Sequence, residues 1–145
     1  MAHLFIYGTL CDQEVCEKVL GRPVPAHDMI PCHAPDFAVY KVAEVAYPCL
    51  LTKKGAVATG FLLTGLSEAD LAKLDLFEGP NYTRTRLALI CDKADMPSHS
   101  EYYKPHEALQ TDGPWDFRKW QTQEKAAFLS QDFNLQGVRA PSHVT

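Results

Sequence analysis

Apolar residues in this chain fall mostly in short runs broken by Gly and Pro, with helical spacing in only a few places. His3 to Tyr7 is β-prone, has Phe5 and Ile6 at its centre and stops at Gly8, so it reads as a central strand. Gly8-Thr9-Leu10 turns the chain. Asp12 is placed to cap a helix from Gln13 to Leu20, with Val15, Val19 and Leu20 on its apolar side and Gly21 and Pro23 to end it. Met29–His33 and Phe37–Val42 are two β-prone stretches interrupted by Pro35, and Pro31 marks the first as an edge or bulged strand. Ala46 to Leu51 reads as a turn into a strand. Lys53-Lys54-Gly55 reads as a hairpin turn, and Ala56 to Leu63 as the next strand, in which Gly60 signals a bulge or a close backbone approach. Asn81 to Cys91 reads as one long strand, Lys93 to His99 as a loop, and Glu101 to Lys104 as a short strand closed by Pro105. Pro114 to about Phe133 reads as a helix with Pro in its first turn, followed by a frayed tail over Val138 to Thr145. Strands outnumber helices and cluster in hairpins. That pattern predicts an α+β domain on a mostly antiparallel sheet, possibly closed.

The remaining helix, Ser67 to Phe77, ends on a carboxylate. Ser67 with Asp70 three residues on is a helix start, although Glu or Gln is the more usual partner. Leu71 and Leu74 mark one face, and Glu78 continues it. Gly79 and Pro80 stop the helix. Glu78 therefore falls in the last turn, where the helix dipole and desolvation both disfavour its charged form and raise its pKa. A raised pKa suits a group that exchanges protons near neutral pH. The bland alternative is a solvated helix-end charge, the usual situation of Glu. The face is not clean either: Ala69, Ala72 and Leu76 point elsewhere, and Asp75 lies close to the Glu78 direction.

The turn after the first strand offers complementary chemistry. Backbone N–H groups where a turn enters a helix attract anions such as a carboxylate or an oxyanion. With one Gly this turn is neither Gly-x-Gly-x-x-Gly nor a Walker loop, so no nucleotide site is read there. A plain structural strand end is the alternative.

Composition narrows the classes. The 145 residues are 46% hydrophobic and 22% charged, which fits one globular domain over residues 1–145. The net charge is -4, and no basic run is longer than Lys53-Lys54. Both argue against nucleic acid or an anionic membrane as partner. No apolar run approaches the roughly 20 residues that span a bilayer. The first residues lack the positive region of a secretory signal. Five cysteines, an odd number without a Cys-x-x-Cys pair, read as free thiols in a reducing, cytoplasmic setting. No close ligand spacing suggests zinc, and no cofactor is expected.

Two segments together resemble the gamma-glutamylcyclotransferase-like family, also called the avirulence-induced-gene-like family. Phe5-Ile6-Tyr7-Gly8-Thr9-Leu10 is similar to its Tyr-Gly-Thr-Leu signature. Leu74 to Arg84, Leu-Asp-Leu-Phe-Glu-Gly-Pro-Asn-Tyr-Thr-Arg, is similar to its Leu-Asp-x-Phe-Glu-Gly-x-x-Tyr-x-Arg block. Tyr47-Pro48 and Val57-x-x-Gly60 fall between them in the expected order, and the likeness runs from His3 to Lys104. The resemblance implies a small mixed, mostly antiparallel β-barrel with flanking helices. It implies Glu78 as the catalytic base and Tyr7, Gly8, Thr9 and Leu10 as substrate-binding residues. The implied activity is release of 5-oxoproline from a small-molecule gamma-glutamyl substrate, with no metal, nucleotide or covalent intermediate. Cys11 departs from the pattern, standing where a larger or basic residue is expected. Tyr82 and Arg84 read as bracing the strand against the helix end, and Tyr103 as a residue that could line the pocket.

Two rivals stay open at this level. Cys11 or Cys49 with one of His3, His27, His33, His99 or His106 could make a thiol hydrolase. A non-catalytic binding module could keep the same fold and pocket. The leaving group and the oligomeric state are not written in the sequence.

Overall fold

Strand β1, Ala2–Ile6, lies in the middle of a seven-stranded sheet. A computed structural model describes residues 2–43, 48–106 and 109–130 of the chain. On one flank β1 pairs antiparallel with β3, Pro48–Leu66. On the other it pairs parallel with β6, His99–Pro105. Beyond β3 come β2, Met29–Val42, and then the two-residue β5, Ile90–Cys91. Beyond β6 comes β4, Tyr82–Ala88. A short β7, Thr111–Pro114, joins β2. The two ends of this path, β4 and β5, are separated in the chain by Leu89 alone. The sheet therefore curls until its edges come together, giving an α+β half barrel of mostly antiparallel strands.

Alternation along β1 sorts the core into two halves, as the period-2 geometry of a strand requires. Leu4 and Ile6 face helices α1 (Gln13–Leu20) and α2 (Glu68–Glu78), packing with Val15, Val19, Leu20, Leu74 and Phe77. Phe5 and Tyr7 face the other way, with Ile30, Ala34, Leu62 and Tyr102. Gly60 lets β3 approach β1 this closely: a Cβ there would stand 2.2 Å from the Ile6 carbonyl oxygen and about 3.0 Å from the Phe5 ring.

Local signals set the first two predicted helices. The Asp12 carboxylate accepts the Val15 N–H at the start of α1, and Gly21 ends it in the left-handed region at φ 69°. Ser67 and Asp70 form a reciprocal capping box at the start of α2.

Four sequence expectations change. Lys53-Lys54-Gly55 is not a hairpin turn, because the β3 residues on both sides of it pair with β2: Pro35 opposes Val57, and Phe37 opposes Thr52. Residues 53–56 are extra length looped out at a bulge. Asp36 sits there at φ 63° and accepts the Gly55 N–H at 2.9 Å. Met29 to Val42 is accordingly one bulged strand, next to last on the path. The Pro31 carbonyl accepts from Asp92 on the β5 flank, so its missing N–H falls outside the β2–β3 ladder. Asn81 to Cys91 is two strands, since the chain passes at Leu89 from one sheet edge to the other. Pro114 belongs to β7, opposite Tyr40, so the last helix begins later: Asp116 caps α3, Phe117–Gln123, and α4 follows over Lys125–Leu129. The turn read at Ala46-Tyr47, the helix beyond residue 130 and the tail Val138 to Thr145 lie outside the described residues.

Candidate active site

Three elements converge on the candidate site: the end of β1, the end of α2 and the middle of β6. After Ile6 the chain leaves the sheet through Tyr7 and Gly8 into a 3-10 turn, Thr9–Cys11. Inside it the Gly8 carbonyl accepts the Cys11 N–H at 3.0 Å and the Thr9 carbonyl accepts the Asp12 N–H at 3.1 Å. Tyr7, Gly8, Thr9 and Leu10 are all buried. The Tyr7 phenol reaches the carbonyl oxygen of Tyr103, in β6, at 3.5 Å.

Glu78 closes α2 and is 1% exposed, on the side of the helix that also buries Leu74 and Phe77. Burying those two apolar side chains is worth roughly 1.5–3 kcal/mol each, which offsets the cost of carrying a carboxylate below the surface. Gly79 follows at φ 90° and donates its N–H to the Asp75 carbonyl at 2.9 Å. The chain thus leaves the helix directly after the acid.

Tyr103 connects the two halves. Its phenol donates to Asp75 Oδ1 at 2.6 Å, and that same oxygen lies 3.2 Å from Arg84 Nε. Burial first, then the bond to Asp75 and the negative charges of Asp75 and Glu78, push the Tyr103 phenol well above its ordinary pKa. Glu78 is thus near enough for its charge to add to that rise, after burial and Asp75, while the Tyr103 backbone receives the Tyr7 hydroxyl. Leu10, Phe77 and Tyr103 share one core cluster.

An open cleft of about 550 Å³ lies beside this junction, lined by Asp75, Leu76, Gly79, Pro80, Tyr82, Thr83, Arg84 and Tyr103. Neither Glu78 nor any of Tyr7 to Leu10 lines it. The structure thus brings both motifs to Tyr103 and sets the open volume at the C-terminal end of α2. Arg84 braces β4 against the end of α2 through Asp75, as expected, and Tyr103 lines the cleft. Asp75, placed by helix geometry near the Glu78 direction, takes a role that the sequence did not assign it. The available signal was its position one turn before Glu78, on a helix that the adjacent strand pair must cover.

The thiols do not fit a nucleophile. Burial pushes the Cys49 thiol up to about 11 and Cys11 higher still, whereas a catalytic thiol needs a depressed pKa. Cys11 Sγ instead meets the Ile6 carbonyl at 3.4 Å. Among the described residues no group of three or more His, Cys, Asp or Glu is placed to hold a metal. No helix among them is long and apolar enough to cross a membrane.

The fold and motifs agree with comparisons to known proteins. The family model "Gamma-glutamyl cyclotransferase, AIG2-like" matches residues 4–121. The chain is similar to AIG2-like protein D of Arabidopsis thaliana, 29% identical over 133 residues that cover 89% of this chain and 85% of the relative. It is also similar to Protein AIG2 C of the same plant, 25% identical over 131 residues that cover 88% and 76%. In three dimensions it resembles the solution structure of At3g28950.1 from Arabidopsis thaliana at a TM-score of 0.67 and 25% identity, covering 88% of this chain and 77% of that one. With most of its length matched, the chain belongs to the gamma-glutamyl cyclotransferase, AIG2-like family.

Proposed function

We propose that this protein is a gamma-glutamyl cyclotransferase-type enzyme, releasing 5-oxoproline from a gamma-glutamyl amino acid or amine. The supporting observation is Glu78: a carboxylate 1% exposed at the end of α2, electrostatically coupled to Tyr103, whose backbone meets the end of the Tyr7–Leu10 turn.

Glu78 as carboxylate takes a proton from the substrate α-ammonium group. The freed amine attacks the γ-carbonyl carbon, and the new C–N bond closes a five-membered lactam. The tetrahedral oxyanion is held by N–H groups of the Gly8–Leu10 turn. The old C–N bond then breaks, and the leaving nitrogen takes the proton that Glu78 carried. The α-nitrogen gives up two protons in all and the leaving nitrogen gains two, so the net reaction draws none from solvent. Attack is intramolecular, so holding the substrate curled supplies much of the rate. The experiment that tests this is detection of 5-oxoproline from gamma-glutamyl compounds.

A second reading, binding without turnover, is favoured by one observation. The open cleft is lined by Asp75, Leu76 and Tyr103 rather than by Glu78, so a small molecule can fill it without meeting the carboxylate. Saturable binding of glutamate or 5-oxoproline with no product would support it.

A further inference from the structure

Asp12 has more to do than cap a helix. It is 4% exposed, and its two oxygens face three helices. Oδ1 accepts the Val15 N–H of α1 at 3.2 Å. Oδ2 accepts from Gln121 Nε2 of α3 at 2.9 Å and pairs with Lys125 Nζ of α4, also at 2.9 Å. Lys125 reaches Glu14 as well, at 3.0 Å, and Lys18 Nζ donates to the Leu129 carbonyl at 2.6 Å. Contacts from the N-cap, first turn and last turn of α1 thus hold α3 and α4. Lys125 with Gln121 keeps the Asp12 carboxyl below its ordinary pKa in spite of burial.

The same two helices reach the other side of the candidate site. Trp120, 2% exposed, belongs to the core cluster of Leu10 and Phe77. Phe128 stands edge-on to Trp120 at 5.5 Å and to Phe77 at 6.4 Å. Phe77 immediately precedes Glu78. Asp12 immediately follows the turn, and its N–H is bonded to the Thr9 carbonyl. One element therefore grips the neighbour of the turn by charge and the neighbour of the acid by aromatic contact.

We propose that Asp12 is a positioning residue: paired with Lys125 and Gln121, it makes α3–α4 a brace that holds the Tyr7–Leu10 turn against the end of α2. What it positions rests on the reading of Glu78 and the turn as one site; the mechanical coupling does not. An exposed ion pair contributes little. This one is different because its carboxylate is buried, so losing the Lys125 charge leaves it undercompensated.

The test uses Lys125→Met, which keeps the stem and removes the charge, and Asp12→Asn. Asn caps a helix about as well as Asp, so α1 keeps its start. Amide hydrogen exchange by NMR is read at Cys11 and Asp12, and emission of Trp115 and Trp120, the two tryptophans of the chain, follows the docking of the brace. Both variants should speed exchange at Cys11 and Asp12 about tenfold or more, and the double variant should go little further, as for two halves of one contact. In turnover they should lower kcat/KM, chiefly through KM, by a similar factor. Faster exchange confined to α3–α4, with Cys11 and Asp12 at wild-type rates, would overturn the proposal. If wild type releases no 5-oxoproline the proposed reaction fails, and the exchange result still decides whether the brace exists.

Discussion

The Tyr103 hydroxyl donates to Asp75 across 2.6 Å, joining the middle of a strand to the last turn of a helix 28 residues away. This contact ties the last turn of α2, which carries Glu78, to the sheet. Asp75 is shared with Arg84, whose other partner is Glu101 of β6 at 3.7 Å. Helix α2 and strands β4 and β6 thus meet at one carboxylate beside the cleft.

Replacing Tyr103 by Phe removes the donor while keeping the ring in the core. A hydrogen bond to a charged acceptor contributes about 1.5–3 kcal/mol when buried. Asp75 is half exposed and keeps Arg84, so a loss of about 1 kcal/mol is expected. Urea denaturation should show a lower midpoint at unchanged slope. A wild-type midpoint would mean that the bond is not a structural tie.

Gly60→Ala tests the closeness of β3 and β1. Its Cβ would stand 2.2 Å from the Ile6 carbonyl, a backbone atom that cannot rotate away. Overpacking of this kind typically costs 1–3 kcal/mol, and a clash with backbone belongs at about 3 or above. The end of β1 carries Tyr7, so the turn should move too. A thermal midpoint within a degree or two of wild type would contradict the register of these strands.

Asp70 gives the pH dependence a sign. The Arg22 guanidinium, bonded through Nη2 at 2.8 Å and Nε at 3.2 Å, and then the Ser67 N–H bring its pKa from 3.8 down to about 2. A carboxylate lowered on folding stabilises the protein above its unfolded pKa. That contribution fades as pH falls from about 4 to about 2. The shift corresponds to about 2 kcal/mol at most, and to about 1 once the partial exposure of Arg22 is allowed for. Wild type should exceed Asp70→Asn by this margin at pH 6, plus the capping difference, and the electrostatic part should vanish near pH 2. A gap that stays constant with pH would assign it all to capping.

The parts of the fold legible in the sequence are those decided within one turn of helix. Asp12 and Gly21 bound α1, and Ser67, Asp70 and Gly79 bound α2, because each acts on backbone groups three or four residues away. Glu78 was legible for the same reason, as the next residue on the face of Leu74. The pairings depend on distant partners. Nothing near Leu89 announces that the chain there leaves one edge of the sheet for the other, and nothing near Lys53 says that both flanks will pair with β2. Pro114 carried a real helix-start signal, but Tyr40 across the sheet decided in favour of a strand. The Asp75–Tyr103 contact and the double grip of Asp12 likewise exist only once the sheet has curled.

Glu78, in the proposed reaction, moves the proton in an intramolecular cyclisation. This role is tested most directly by incubating wild type and Glu78→Gln with a panel of gamma-glutamyl amino acids and amines and measuring 5-oxoproline by mass spectrometry. Gln keeps the size of the side chain and cannot accept the proton. Product is expected from wild type, with a loss of at least about 100-fold in Glu78→Gln, the scale of a positioned general base, and a thermal midpoint unchanged or raised as a buried charge is removed. Equal product from the two proteins would contradict that role.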